Sequence, residues 1–74
     1  MDDWRSKFGN QVRAVRRSRG LTQEAVALEA EIDLTYLGGI ERGRRNPTLL
    51  VIVRIASALG VSPQALFDSN TVGE

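Results

Sequence analysis

The chain has 74 residues and contains no histidine and no cysteine, so the side chains able to do chemistry are its arginines and carboxylates. Those two absences remove the ordinary general base near neutral pH, the soft metal ligands and the best nucleophile. Asp2, Asp3, Glu24, Glu29, Glu31, Asp33, Glu41, Asp68 and Glu74 remain, and none falls into a paired acid–base or metal-ligand array. The glycines at 9, 20, 38, 39, 43, 60 and 73 fit no phosphate-cradling or dinucleotide fingerprint. The expectation is a protein with no catalytic residue, no metal and no cofactor. It is not an enzyme.

Arginine carries the signal. Arg5, Lys7, Arg13, Arg16, Arg17 and Arg19 lie within residues 5–19 with no acid among them. Arg42, Arg44, Arg45 and Arg54 lie within 42–54, again with no acid. The net charge is only +1, because nine acids offset the ten basic residues, and five of them, Glu24, Glu29, Glu31, Asp33 and Glu41, occupy the stretch between. A guanidinium is a planar fork that matches phosphate oxygens better than an ammonium does. The pattern suits a polyanion on one surface, although a run of like charge is also what a solvated face looks like.

The elements that must present these charges are helical. Trp4, Phe8, Val12 and Val15 recur at helical spacing and predict a first helix over roughly 3–18, with Asp3 as N-cap and Gly20 at C′. Thr22 caps a second, short helix to Ala30, with Glu24 in its first turn and Val26, Ala27 and Ala30 on a small-residue face. Glu31-Ile32-Asp33 reads as a turn, and Asp33 caps a third helix over about 34–42 that points Leu37 and Ile40 inward and stops at Gly43. Arg44-Arg45-Asn46-Pro47 is a polar loop, since proline biases Asn46 away from helix. Thr48 caps a fourth helix, 49–59, ended by Gly60, and Ser62-Pro63 opens a short fifth helix through Phe67. No stretch alternates with the period of a strand. The fold class is all-α: five helices in one domain over 1–68, with 69–74 a frayed polar tail. The longest apolar run, Leu49 to Val53, is far below the roughly 20 residues of a membrane span, and Met1-Asp2-Asp3-Trp4 lacks a signal-peptide build. A cytoplasmic domain with no membrane contact is expected.

Two short helices joined by a tight turn have the size of a helix-turn-helix, although periodicity does not separate that from any small bundle. The residues do. Arg16-x-x-x-Gly20-Leu21-Thr22-Gln23-Glu24, Ala27, Ile40-Glu41-Arg42-Gly43-Arg44-Arg45-Asn46-Pro47-Thr48-Leu49 and Ile55-Ala56-x-Ala58-Leu59-Gly60-Val61 resemble the Xre family of lambdoid-repressor-like DNA-binding domains. Asp33-Leu34-Thr35-Tyr36-Leu37 is most similar to the single-domain controller proteins of restriction–modification systems. The resemblance implies a transcriptional regulator of double-stranded DNA, with the third helix in the major groove. Thr35 is the expected base reader, through its hydroxyl and methyl. Leu34 either touches a thymine methyl or makes a hydrophobic cap contact, and Tyr36 either reaches DNA or covers the crossing of helices two and three. Gly39 stands where related repressors place a base-reading side chain. Either Gly38 and Gly39 let the helix sit deeper, or they read nothing and DNA shape supplies specificity.

The resemblance assigns Gln23 to a phosphate at a helix N-terminus, joined on the backbone by Arg42, Arg44, Arg45, Asn46 and Arg17, with Arg13 adding longer-range attraction. Arg16 and Glu41 are expected to form a structural ion pair. On the fourth helix Leu49, Ile52, Ile55, Ala56 and Leu59 cluster toward the core with Val53 at the border. Surplus apolar residues outside that arc point to an interface of Leu50, Val51, Val53, Arg54 and Phe67 in a homodimer. Such a dimer would bind a pseudo-palindrome with half-sites one helical turn apart, and RNA polymerase is the further partner a promoter-bound regulator implies. The alternative is a helix-turn-helix used as a protein-interaction module, such as an antitoxin or coactivator.

Overall fold

In the computed structural model, which describes residues 3–68, each α-helix begins at a short polar side chain that closes its first turn. Helix α1 spans Trp4–Ser18, α2 Gln23–Ala30, α3 Leu34–Glu41 and α4 Leu49–Leu59. Their caps are Asp3, Thr22, Asp33 and Thr48, which accept from the backbone N–H of Arg5 (3.1 Å), Ala25 (3.0 Å), Thr35 (2.9 Å) and Val51 (3.3 Å). Each bond satisfies a donor that the helix itself leaves open. The expected fifth helix is instead a single 3-10 turn, Pro63–Leu66, and its N-cap Ser62 makes no side-chain capping bond. Four helices and one 3-10 turn are what the described residues contain. The expected frayed tail, 69–74, lies outside them.

The chain leaves α3 through Gly43, at φ +75°, where a side chain would also press on Ser6. The end of α2 is less orthodox. Glu31, not a glycine, takes the left-handed conformation at φ 58°, and the Ile32 N–H returns to the Ala27 carbonyl at 3.0 Å to close the helix.

Phe8, Val12 and Val15 of α1, Val26, Ala27 and Ala30 of α2, Leu37 and Ile40 of α3, and Ile55, Ala56 and Leu59 of α4 form one buried cluster that Leu66 completes. Within it α1 lies against α3, and α2 against both α3 and α4. The α1–α3 crossing is tight enough to require glycine: a Cβ at Gly9 would overlap the Ile40 carbonyl oxygen and sit 2.9 Å from that of Glu41. Gln11, also buried, donates through Nε2 to the carbonyls of Ala65 (3.0 Å) and Asp68 (2.8 Å), which fastens the 3-10 turn to α1. Neither role was visible in the pattern of apolar residues.

Three expectations about faces need correction. Trp4 does not join the core but sits at its rim, 55% exposed, its ring tilted against Phe67 at 6.5 Å. Leu49, the first residue of α4, is 74% exposed rather than turned to the core. Val51, placed outside the core arc, is half-buried against it, as is Ala58. The core face of α4 is therefore rotated toward Val51, which leaves Leu49, Leu50 and Val53 outward.

Among the described residues the one charge at the centre is Glu41, whose side chain is fully buried and answered from three sides. Arg16 grips it with two bonds, Nε to Oε2 at 2.7 Å and Nη2 to Oε1 at 3.0 Å. Gln23 Nε2 donates to Oε1 at 3.0 Å, and Arg13 Nε lies 3.6 Å from the same oxygen. Burial pushes the Glu41 carboxyl upward, but the hydrogen bonds from Arg16 and Gln23 and the charges of Arg16 and Arg13 outweigh it and hold the group below the ordinary glutamate value.

Removing one partner of a buried pair strands the other charge, so Glu41→Ala is expected to lose about 3–5 kcal/mol in urea unfolding. Because the folded pKa is depressed, this contribution is complete above the unfolded value of 4.5 and is lost as pH falls through the lower folded value. A stability curve that stays flat down to pH 3 would remove the pair from the account. Gly9→Ala is expected to destabilise by roughly 1–3 kcal/mol despite alanine's better helix propensity, read from the same unfolding midpoints.

Candidate nucleic-acid interface

Helices α2 and α3, eight residues each, are joined by the Glu31–Asp33 turn, and the rest of the domain holds them by the core and the Glu41 network. On α3, Leu37, Ile40 and Glu41 point inward and are buried. Helical periodicity sets Thr35, Gly39 and Arg42 on the opposite side. The only acid of α3 is thus the one turned into the core, and the outward side carries none. Arg42, Arg44, Arg45 and Asn46 follow it and are all exposed.

Thr35 is exposed and Leu34 is 42% exposed, so both are free to meet a ligand. Tyr36 is half-buried and packs against the core edge while keeping part of its surface open. Gly39 differs from expectation: it lies on the outward side yet is buried. The reason is Arg45, whose stem crosses it closely enough that a Cβ at Gly39 would come within 2.9 Å of Arg45 Cγ. The Arg45 guanidinium ends 5.7 Å from the centre of the Tyr36 ring, within cation–π range. Arg42 folds back similarly, its Nη1 coming 3.2 Å from where a Cβ of Gly38 would be.

Among the residues expected on the DNA backbone, Arg17 and Arg44 are exposed. Gln23 is not a free surface amide, because it is half-buried and bonded to Glu41. Arg13, expected to add long-range attraction, is likewise drawn to Glu41, and its Nη2 also donates to the Glu41 backbone carbonyl at 3.5 Å. Arg16 and Glu41 are joined as the ion pair anticipated. Arg16 Nη1 additionally donates to the Leu21 carbonyl at 3.0 Å, which steadies the approach to α2. Away from this side, Leu50, Val53, Arg54 and Phe67 are exposed, whereas Val51 is half-committed to the core of its own chain. Next to Phe67 an open groove of about 110 Å³ is lined by Trp4, Arg5, Phe8, Asn46, Pro47 and Ile52.

Residues 12–66 match the helix-turn-helix family HTH_3. The control protein C.BamHI of Bacillus amyloliquefaciens is 45% identical over 67 residues, covering 89% of this chain and 83% of that protein. The control protein C.MunI of a Mycoplasma species is 35% identical over 69 residues, with 92% and 93% covered. The crystal structure of the restriction–modification controller protein C.AhdI of Aeromonas hydrophila superposes with a TM-score of 0.83 at 43% identity, covering 85% of this chain and 96% of that one. With its capped α2–turn–α3 unit, its acid-free outward face and these relatives, the chain belongs to the Xre-like helix-turn-helix family of DNA-binding transcriptional regulators.

Proposed function

We propose that this chain is a homodimeric regulator of the controller-protein type, which occupies a pseudo-palindromic operator with α3 in the major groove. The observation that carries the reading is the asymmetry of α3. Its carboxylate is withdrawn into the core and neutralised, while its outer side is bordered by the guanidinium groups of Arg42, Arg44 and Arg45. A helix offered to DNA needs that distribution, because base edges are reached only past two rows of phosphates. Thr35 is the direct reader in this arrangement, with Leu34 toward a thymine methyl and the Tyr36 hydroxyl at the margin. Arg17, Arg42, Arg44 and Asn46 supply backbone contacts. Gln23 contributes the amide hydrogen it does not give to Glu41, at the N-terminus of α2, where an anion is favoured.

Leu49, Leu50 and Val53 on α4, with Phe67, give the second copy an apolar surface bordered by Arg54. A two-fold axis there presents two α3 helices about 34 Å apart, matching half-sites one turn of duplex away from each other. Occupancy of a promoter by such a dimer acts on RNA polymerase, and the working compartment is the cytoplasm. Among the described residues no helix is long and apolar enough to cross a membrane.

Fluorescence-polarisation titrations of operator duplex across a salt series test the reading, and affinity is expected to fall steeply as counterions compete. Affinity that ignores salt would favour a protein-interaction module instead. In the same assay Thr35→Ala is expected to lose about 1–3 kcal/mol on the preferred site and little on random duplex, whereas Arg44→Ala should weaken every sequence alike and flatten the salt slope by about one unit. Leu50→Glu is expected to raise the dimer dissociation constant by about tenfold or more in sedimentation equilibrium, with the helical spectrum unchanged. A variant that still sediments as wild type would exclude this face as the interface.

A further inference from the structure

The recognition helix has two consecutive glycines in its middle, where alanine would be favoured by about 1 kcal/mol at each position. The structure gives their absent side chains a consequence. Gly38 and Gly39 form a shelf along α3, and two arginines from beyond its C-terminus lie back across it: Arg42 over Gly38 and Arg45 over Gly39. Arg45 is the better fixed. Its stem rests on the Gly39 backbone and its guanidinium reaches the Tyr36 ring, while the Arg44 N–H to Gly39 carbonyl bond, 2.9 Å, holds the loop against the helix.

From this we infer that Arg45 is a base-reading residue, which occupies the vacant place at Gly39 on the outward side of α3 and directs its fork to a guanine. A phosphate contact would call for the guanidinium at the flank of the helix, beside Arg44. Here it is turned back over Gly39 toward the Tyr36 ring. An arginine whose stem rests on a helix backbone and whose guanidinium reaches an aromatic ring has lost rotamer freedom before binding, and its two parallel N–H groups match the O6 and N7 acceptors of guanine in the major groove. Leu34, the neighbouring exposed position, has no hydrogen-bonding group. Arg45 therefore supplies polar recognition that the rest of the face lacks apart from Thr35 and Tyr36.

The assignment rests on the DNA-binding reading above, and one experiment separates the two. Wild-type protein and the variants Arg45→Ala, Arg45→Lys and Gly39→Ala each select duplexes from a randomised pool. Affinities for the wild-type consensus and for a scrambled duplex are then measured across salt, with thermal melting to establish that each variant folds. The wild-type consensus is expected to contain a G·C pair in each half-site. Arg45→Ala should lose preference for that pair alone, with affinity for the consensus down about 5- to 150-fold and a much smaller change on scrambled duplex. Arg45→Lys, which keeps the charge and loses the fork, should not restore the preference. Gly39→Ala should lose the same preference while retaining its salt slope, because its methyl displaces Arg45 without changing any charge. Uniform weakening by Arg45→Ala, with the slope flatter by about one unit and Gly39→Ala indistinguishable from wild type, would return Arg45 to the phosphates and overturn the assignment. Wild type that retrieves no duplex would overturn the DNA-binding reading and this assignment together.

Discussion

The arrangement depends first on a single buried carboxylate. Glu41 ends α3, and its side chain is wholly enclosed, where an unanswered charge would cost several kcal/mol. It is answered by Arg16 and Arg13 from α1 and by Gln23 from the first position of α2. One anion therefore sets the relation of three helices, and Arg16 extends the link to the Leu21 carbonyl just before α2. A hydrophobic side chain would fill the same volume, but it would not dictate which polar groups converge. The same interaction settles the charge of the surface, because the acid of α3 is spent inside and its basic neighbours are left outside.

Where Glu41 acts by what it binds, the glycines of the helical region act by what they lack. Gly9 lets the backbones of α1 and α3 approach so closely that no other residue fits between them. Gly38 and Gly39 give up helix propensity on the outward side of α3, where nothing in the core asks for small residues. Their justification is the two arginines that lie on them, Arg42 by its guanidinium over Gly38 and Arg45 by its stem over Gly39. Both uses follow from the same fact: removing Cβ lets another group come nearer to a helix backbone than packed side chains allow.

A chain this short has few apolar residues to divide among its tasks. Helix α4 shows the division. Ile55, Ala56 and Leu59 are buried, Val51 and Ile52 are partly engaged, and Leu49, Leu50 and Val53 remain outside. The aromatic residues divide in the same way. Phe8 belongs to the core, while Phe67 stacks on it at 5.1 Å and hands the contact on to Trp4 at the rim. The buried and the exposed apolar residues are thus neighbouring parts of one seam rather than separate features.

The sequence by itself determined the helices and their limits, because the signals for them are local: Asp3, Thr22, Asp33 and Thr48 cap within three residues of where they stand, and apolar spacing is set by helical period. It also determined the family, and through it the pairing of Arg16 with Glu41. It overestimated the fifth helix, since Ser62-Pro63 starts a turn that the Ser62 side chain does not cap and that stays a single 3-10 turn. Only the tertiary structure decided which way α4 is rotated, why Gly9 is a glycine, and that Gln11 fastens the 3-10 turn. It alone drew Gln23 and Arg13 toward Glu41, and it alone laid Arg45 across Gly39. Those outcomes depend on groups that are distant in sequence meeting at a few ångströms, and neither periodicity nor charge runs record such distances.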